Sequence, residues 1–180
     1  MTIIQGFICA VPTANRAAFI HHARLAAEGF RDRGLSGAWE CWGEDVPPGE
    51  VTSFPLTVKA GSDETVVFSV YRWPSKAVQD DAMAGAMDDP RLSPQSNPMP
   101  FDGKRVVYGS FEPLLELGSP QPGGFIDGFV VPVAKGERET FRAFAEVYGQ
   151  ADSAPKFTRD FVAAFRQGLD QATSIRLAGG

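Results

Sequence analysis

The segment 64–73, ETVVFSVYRW, alternates side chains for ten residues without a Gly or Pro. Val66, Phe68 and Val70 fall on one side, Val67, Ser69 and Tyr71 on the other, the two-residue period of a β-strand. A strand must pair its backbone with neighbours, so the flanking segments decide the fold. Residues 2–11 are apolar and β-branched around Gly6 and stop at Pro12, which predicts a first strand. Thr13 is placed to cap a following helix, along which Phe19, Ala23, Ala26 and Phe30 form one apolar stripe. RDRG at 31–34 ends that helix with basic residues and a Gly. Residues 35–42 predict a second strand, with Trp39 and Cys41 on one side and Glu40 and Trp42 on the other.

After the Gly/Pro-rich loop GEDVPPGE, residues 51–60 read as an irregular or edge strand broken by Pro55. Pro74 and Ser75 open a second helix, with a stripe of Val78, Ala82, Met83 and Ala86, ending before Pro90. A Pro-rich loop leads to a last strand over 104–111. Strand, helix, strand, strand, helix, strand is the order of a ferredoxin-like βαββαβ α+β domain, here over residues 1–116.

The linker LGSPQPGG at 117–124 precedes an internal echo. IDGFVVPVAKGERETFRAFA repeats IQGFICAVPTANRAAFIHHA at an offset of 122 residues, with seven identities in twenty positions. Ile4, Gly6, Phe7, Val11, Arg16, Phe19 and Ala23 return as Ile126, Gly128, Phe129, Val133, Arg138, Phe141 and Ala145. Nothing after it resembles Trp39 to Tyr71. Residues 155–171 carry Phe157, Phe161, Phe165 and Leu169 every fourth position, the stripe of another amphipathic helix. Residues 125–180 thus read as a half-repeat of strand, helix and helix, expected to pack against the first domain or to extend a dimer interface.

A net charge of −5, with 17 scattered basic residues, argues against a nucleic-acid partner, whose phosphates demand clustered Lys and Arg. No apolar run approaches the roughly 20 residues of a membrane span, and the start lacks the basic n-region of a signal peptide. A cytoplasmic protein is expected, with Cys9 and Cys41 reduced and acting as small apolar strand residues. No phosphate-cradling Gly loop, HExxH, CxxC pair or GxSxG elbow is present; no metal and no cofactor are expected.

Three clusters can carry chemistry. His22 lies about 60° from the centre of the first helix's stripe, where it serves either as a general acid, general base or metal ligand in a helix–sheet cavity or as a core-edge histidine bonded to backbone. His21 points to solvent. Glu40 shares a strand face with Trp42, an apolar wall able to raise a carboxyl pKa; the other reading pairs Glu40 with a surface cation and leaves Glu44 and Asp45 solvated. Lys104 and Arg105 follow the Asp102-Gly103 turn and suit either an anionic ligand group or a charged turn rim. The candidates are therefore His22 and Glu40 as catalytic groups, and Trp42, Asp45, Lys104 and Arg105 as ligand contacts. Enzyme and noncatalytic interaction module both stay open.

The stretches ECWGEDVPPGEVTSFPLTVKA, ETVVFSVYRWPSK, DDPR and MPFDGKRVVYGSFE resemble the YbaA-like conserved bacterial domain of unknown function, over residues 3–115. The resemblance implies a dimeric α/β barrel, in which the sheet pairs with that of a second subunit to give a homodimer. It belongs to a wider superfamily of cofactor-free monooxygenases and haem-using enzymes with cavities between helix and sheet. His22 matches that family's helical histidine, whereas Phe19 and Ile20 stand where its pattern carries Tyr and Arg. No reaction follows from the resemblance.

Overall fold

The computed structural model describes residues 1–116, 124 and 126–149. The chain forms two compact units, Met1–Pro113 and Leu114–Gly180.

In the first unit, strands β1 (Ile3–Pro12), β2 (Gly37–Trp42), β3 (Glu64–Trp73) and β4 (Val107–Phe111) make an antiparallel sheet of order β2-β3-β1-β4. Helix α1 (Arg16–Asp32) connects β1 to β2, and α3 (Lys76–Ala84) connects β3 to β4; a short helix α2 (Phe54–Thr57) lies between β2 and β3. This α+β arrangement is compatible with the ferredoxin-like one.

The β3 alternation sorts the core onto two faces. Val67 joins Cys9, Val11, Phe19 and Ala23 under α1. Tyr71 and Trp73 join Leu35 and Ala82 under α3, with Phe7 and Phe30 packed alongside. The opposite set, with Val66 and Phe68, packs with Ile8, Ala10, Val58 and Phe54 beneath α2. Beyond α2 that second face is uncovered: Val107 and Phe111 are exposed, and Ile4, Trp39 and Val70 are half-buried.

Four local expectations are corrected. Thr13 does not cap α1. It sits in a 3₁₀ turn, Thr13–Asn15, and its hydroxyl hydrogen-bonds the Thr65 hydroxyl at 2.9 Å, so it ties β1 to β3 instead. The strand expected over 51–60 is replaced by α2. Ser53 Oγ accepts the Leu56 N–H at 3.2 Å, and Pro55 lies in the first turn, where its missing N–H costs nothing. Pro55 thus marks a helix start rather than a broken strand. The last strand begins at Val107, because Gly103–Arg105 forms a 3₁₀ turn that sends Arg105 to Glu64. Ala86 falls outside α3, in the 3₁₀ turn Ala86–Asp88.

Two stop and start signals behave as read. Gly34 takes φ +98°, the left-handed conformation that ends α1 without a Cβ penalty. Ser75 accepts the Val78 N–H at 3.3 Å and caps α3.

In the second unit, residues 126–134 belong to no strand. A 3₁₀ turn, Lys135–Glu137, leads into α4 (Arg138–Gly149). The strand expected at the head of this unit is absent, since no neighbour among the described residues pairs with it. The Phe-striped helix expected over 155–171 lies outside the described residues.

Candidate functional site

Strand register places Glu40, Ser69, Phe7 and Tyr108 in one row across the sheet, on the side of α1 and α3. The row runs along the seam between the two apolar clusters under the helices. Ser69 Oγ donates to Glu40 Oε2 at 2.5 Å and Tyr71 Oη donates to Oε1 at 2.8 Å. Among the described residues, no cation is bonded to this carboxyl. Burial raises its pKa above the ordinary value, and the two hydroxyl donors partly offset that rise. Burial and the Glu40 charge push the Tyr71 phenol far up, so Tyr71 is a donor at any physiological pH. Cys9 is pushed up to about 12 for the same two reasons, so it stays a thiol. Cys9 and Cys41 are both free.

More polar groups are buried on this side. Trp73 Nε1 donates to Gln5 Oε1 at 3.0 Å, and Gln79 Nε2 donates to Ser110 Oγ at 2.9 Å. Around them stand Phe7, with its ring 5.2 Å from Tyr71, and Phe30, 6.1 Å from Tyr71 and 5.7 Å from Trp73. The seam therefore combines one ionisable carboxyl with neutral hydrogen-bonding groups and aromatic walls.

Trp42 shares the Glu40 side, as the alternation requires, and packs 6.2 Å from Phe19, with the Arg16 guanidinium 5.6 Å over its ring. Phe101 lies 6.0 Å from Phe19 and 5.7 Å from His22. His22 is half-buried, and its Nδ1 meets Asn97 Oδ1 at 2.9 Å. Asn97 Nδ2 donates to the carbonyls of His22 and Arg91, which turns Oδ1 toward the ring. Nδ1 is then the protonated nitrogen, and Nε2 carries the lone pair. Burial lowers the His22 pKa, against the opposing pull of Asn97. No hydrogen bond joins His22 to Glu40. The partner of His22 is a side-chain amide rather than the backbone carbonyl expected for a core-edge histidine, and it pins the 91–97 loop to α1.

Asp45 is exposed in the loop after β2, and Lys104 is exposed in the 3₁₀ turn before β4. Arg105 is bonded to both Glu64 oxygens, at 2.8 and 2.6 Å, and to Asp102 at 3.1 Å. This pairing holds Glu64 down at about 2 and occupies the guanidinium that an anionic ligand would need. The three ligand-contact candidates thus lie apart from the Glu40 seam in their contacts, and Trp42 alone joins it. An open cleft of about 320 Å³ is lined by Gly43, Val46, Pro55, Ala60, Glu64 and Val66, and includes none of His22, Glu40 or Trp42.

Among the described residues, no three His, Cys, Asp or Glu side chains converge as a metal site, and no helix is long and apolar enough to cross a membrane. Sequence reasoning missed Ser69, Tyr71, Gln5, Gln79 and Asn97. The first two were legible as the period-2 mates of Val67 on β3, the side that faces Glu40; Asn97 sits in an irregular loop and gave no signal.

These features define an α+β domain with a half-buried carboxyl held by two hydroxyls on the helix side of the sheet. The chain belongs to the family described as "Protein of unknown function (DUF1428)", whose profile matches residues 2–103. It is similar to the uncharacterized protein YbaA of Escherichia coli (strain K12), at 44% identity over 116 residues, which is 64% of this chain and 99% of that protein. A shorter likeness, 58% over 38 residues, links it to a catalase-peroxidase of Rhizobium johnstonii, covering 21% of this chain and 5% of that enzyme. A catalase-peroxidase of Rhizobium etli (strain CIAT 652) matches at 52% over 40 residues, 6% of its length. Matches this short carry no activity to this chain.

Proposed function

We propose that this protein is a cytoplasmic homodimer of the α/β-barrel type that binds a small molecule at the helix–sheet seam, with Glu40 as its proton-transfer group. One observation carries the reading: a half-buried carboxyl, held by two hydroxyl donors and bonded to no cation among the described residues. Burying a carboxylate costs several kcal/mol, and each charge-assisted hydrogen bond returns only about 1.5–3 kcal/mol. The hydroxyl bonds only partly offset the cost of removing the carboxyl from water, which favours a chemical role for it over a stabilising one. Burial raises its pKa above the ordinary carboxyl value, the direction that a proton-transfer group requires. Tyr71 and Ser69 orient the carboxyl, while Phe7 and Trp42 supply apolar walls. His22, fixed by Asn97, has a structural part in this scheme.

The test is a saturation-transfer NMR screen of uncharged fragments against the full chain and its Glu40→Gln variant. Hits that shift Phe7 and Tyr71 resonances in the parent protein, with binding altered in the variant, support the site. A library that leaves the seam unperturbed in folded protein removes it.

A second reading, a noncatalytic dimeric interaction module, draws on the other side of the sheet. Exposed Val107 and Phe111 beside half-buried Ile4, Trp39 and Val70 form an apolar surface suited to a second subunit. Sedimentation of the full chain and of Phe111→Lys separates the outcomes: dissociation in the variant supports face-to-face pairing, and a monomeric parent protein refutes it.

A further inference from the structure

Two glutamines are enclosed on the helix side of the sheet, where fully buried carboxamides are uncommon. Gln5 on β1 is 6% exposed and Gln79 on α3 is 3% exposed. Strand register sets Gln5 between Tyr71 on β3 and Ser110 on β4, in the row next to Ser69, Phe7 and Tyr108 on the same face. Gln79 reaches that row from α3. Its Nε2 donates to Ser110 Oγ at 2.9 Å, and the hydroxyl returns to Oε1 at 3.3 Å.

The two amides are not equally spent. Gln79 engages Ser110 through both its oxygen and its nitrogen. Gln5 uses only its oxygen, which accepts the Trp73 indole N–H at 3.0 Å. An indole nitrogen can only donate, so this bond fixes which end of the Gln5 amide is oxygen and leaves both hydrogens of Nε2 for another partner. None is present among the described residues. Arg33 Nε is, among the described residues, the side-chain nitrogen that is both unpartnered and sealed from solvent; Gln5 Nε2 is unpartnered but reaches accessible space. The row of Gln5 and its neighbour open at β4, where Ser110 and the Tyr108 ring are exposed.

We propose that Gln5 Nε2 reads a hydrogen-bond acceptor on the ligand of the helix–sheet seam, and that this ligand carries an uncharged carbonyl group, as an amide, ketone or lactone does. The inference rests on the reading of the seam as a small-molecule site and names the class of molecule it takes. The groups bonded within the Gln5 row are an indole, a hydroxyl and a second amide, none of them a cation. A carboxylate here would give up its water for neutral donors alone, at a cost they do not return. A carbonyl oxygen needs one or two N–H donors and no counter-ion, which Nε2 supplies. A hydrocarbon would leave the amide unmet. Phe7 and Tyr108, with rings 6.3 Å apart, supply aromatic surface for the rest of the ligand. Trp73 is then a positioning residue, since its indole holds the amide with the N–H groups free.

The probes are acetanilide, benzoate and ethylbenzene, which share an aromatic ring and differ in what they offer an N–H donor. Isotope-labelled full-length protein reports the Gln5 side-chain amide directly by NMR, its signals assigned through their proximity to the Trp73 indole. Acetanilide is expected to shift that amide saturably and to bind at least about tenfold tighter than either other probe. Equal affinities for acetanilide and ethylbenzene overturn the proposal, as does tighter binding of benzoate. Shifts at Phe7 and Tyr71 with the Gln5 amide unmoved also overturn it, and leave the seam standing as a site. No shift at any seam residue removes both. A folded Gln5→Met variant should bind ethylbenzene as before and lose the preference for acetanilide; a retained preference counts against Gln5. Where that variant does not fold, the measurement on the parent protein decides alone.

Discussion

Residues 3–32 and 126–149 carry one pattern in two settings. In the first, the apolar alternation is a central strand whose side chains are buried above and below; in the second, the same alternation is exposed ahead of an equivalent turn and helix. The difference teaches that local pattern sets backbone habit, while burial waits on neighbours. Turn and helix formed in both places because their hydrogen bonds close within a few residues. The strand formed only where β3 and β4 were present to pair with it.

The largest test of that contrast puts a charge at equivalent positions. Val11→Asp buries a carboxylate at a fully enclosed site and is expected to destabilise the first unit by more than about 4 kcal/mol. Val133→Asp is expected to change the unfolding free energy by less than about 0.5 kcal/mol. Urea unfolding followed by circular dichroism reads both, and similar losses at the two sites break the comparison. A milder version follows: Ile8→Ala is expected to cost about 2–4 kcal/mol and Val130→Ala almost nothing.

The pH dependence sharpens what surrounds the first copy. The folded pKa of Glu40 lies above its ordinary value of 4.5, so its stabilising contribution is complete below that value and is lost as pH rises through the folded pKa. The stability of the parent protein relative to Glu40→Gln should therefore fall with rising pH. Glu64 has the opposite sign. Held down at about 2 by Arg105, it stabilises above 4.5 and loses that contribution as pH falls toward 2. The stability of the parent relative to Glu64→Gln should fall on acidification. Equilibrium unfolding across pH 2–8 separates the two slopes, in the range of ordinary carboxyl titration, and parallel profiles would contradict both assignments. The smallest effect lies at the turn: Thr13→Ala removes the hydroxyl link to Thr65 and should cost about 1 kcal/mol, and Lys135→Ala, at the equivalent position, should cost nothing measurable.

Much of the fold was legible. Glu64–Trp73 forms the strand its alternation predicts, from end to end, and Ser75 and Gly34 cap and stop helices as their chemistry implies. The misreading at 51–60 came from weighing Pro55 as a strand breaker without its partner, Ser53, two residues earlier. The candidate site was half legible. Glu40 and Trp42 share a side because strand period alone requires it. Arg105 suited an anionic ligand in the sequence and is consumed by Glu64, 41 residues away; His22 was read as a cavity acid or base or as a core-edge histidine bonded to backbone, and is held by the Asn97 side chain, 75 residues away. Neither pairing has a local sequence signature.

By itself, the sequence determined strands β1, β2 and β3, the helices α1 and α3, and the two faces of β2 and β3. Each of these depends on torsions and hydrogen bonds within a few residues. Only the tertiary structure decided that Val11 is enclosed while Val133 is exposed, and that the carboxyl of Glu40 is held by hydroxyls 29 and 31 residues away instead of by a cation. Burial and ionisation are set by the groups that strand pairing brings together, and pairing joins segments whose separation along the chain no local pattern records.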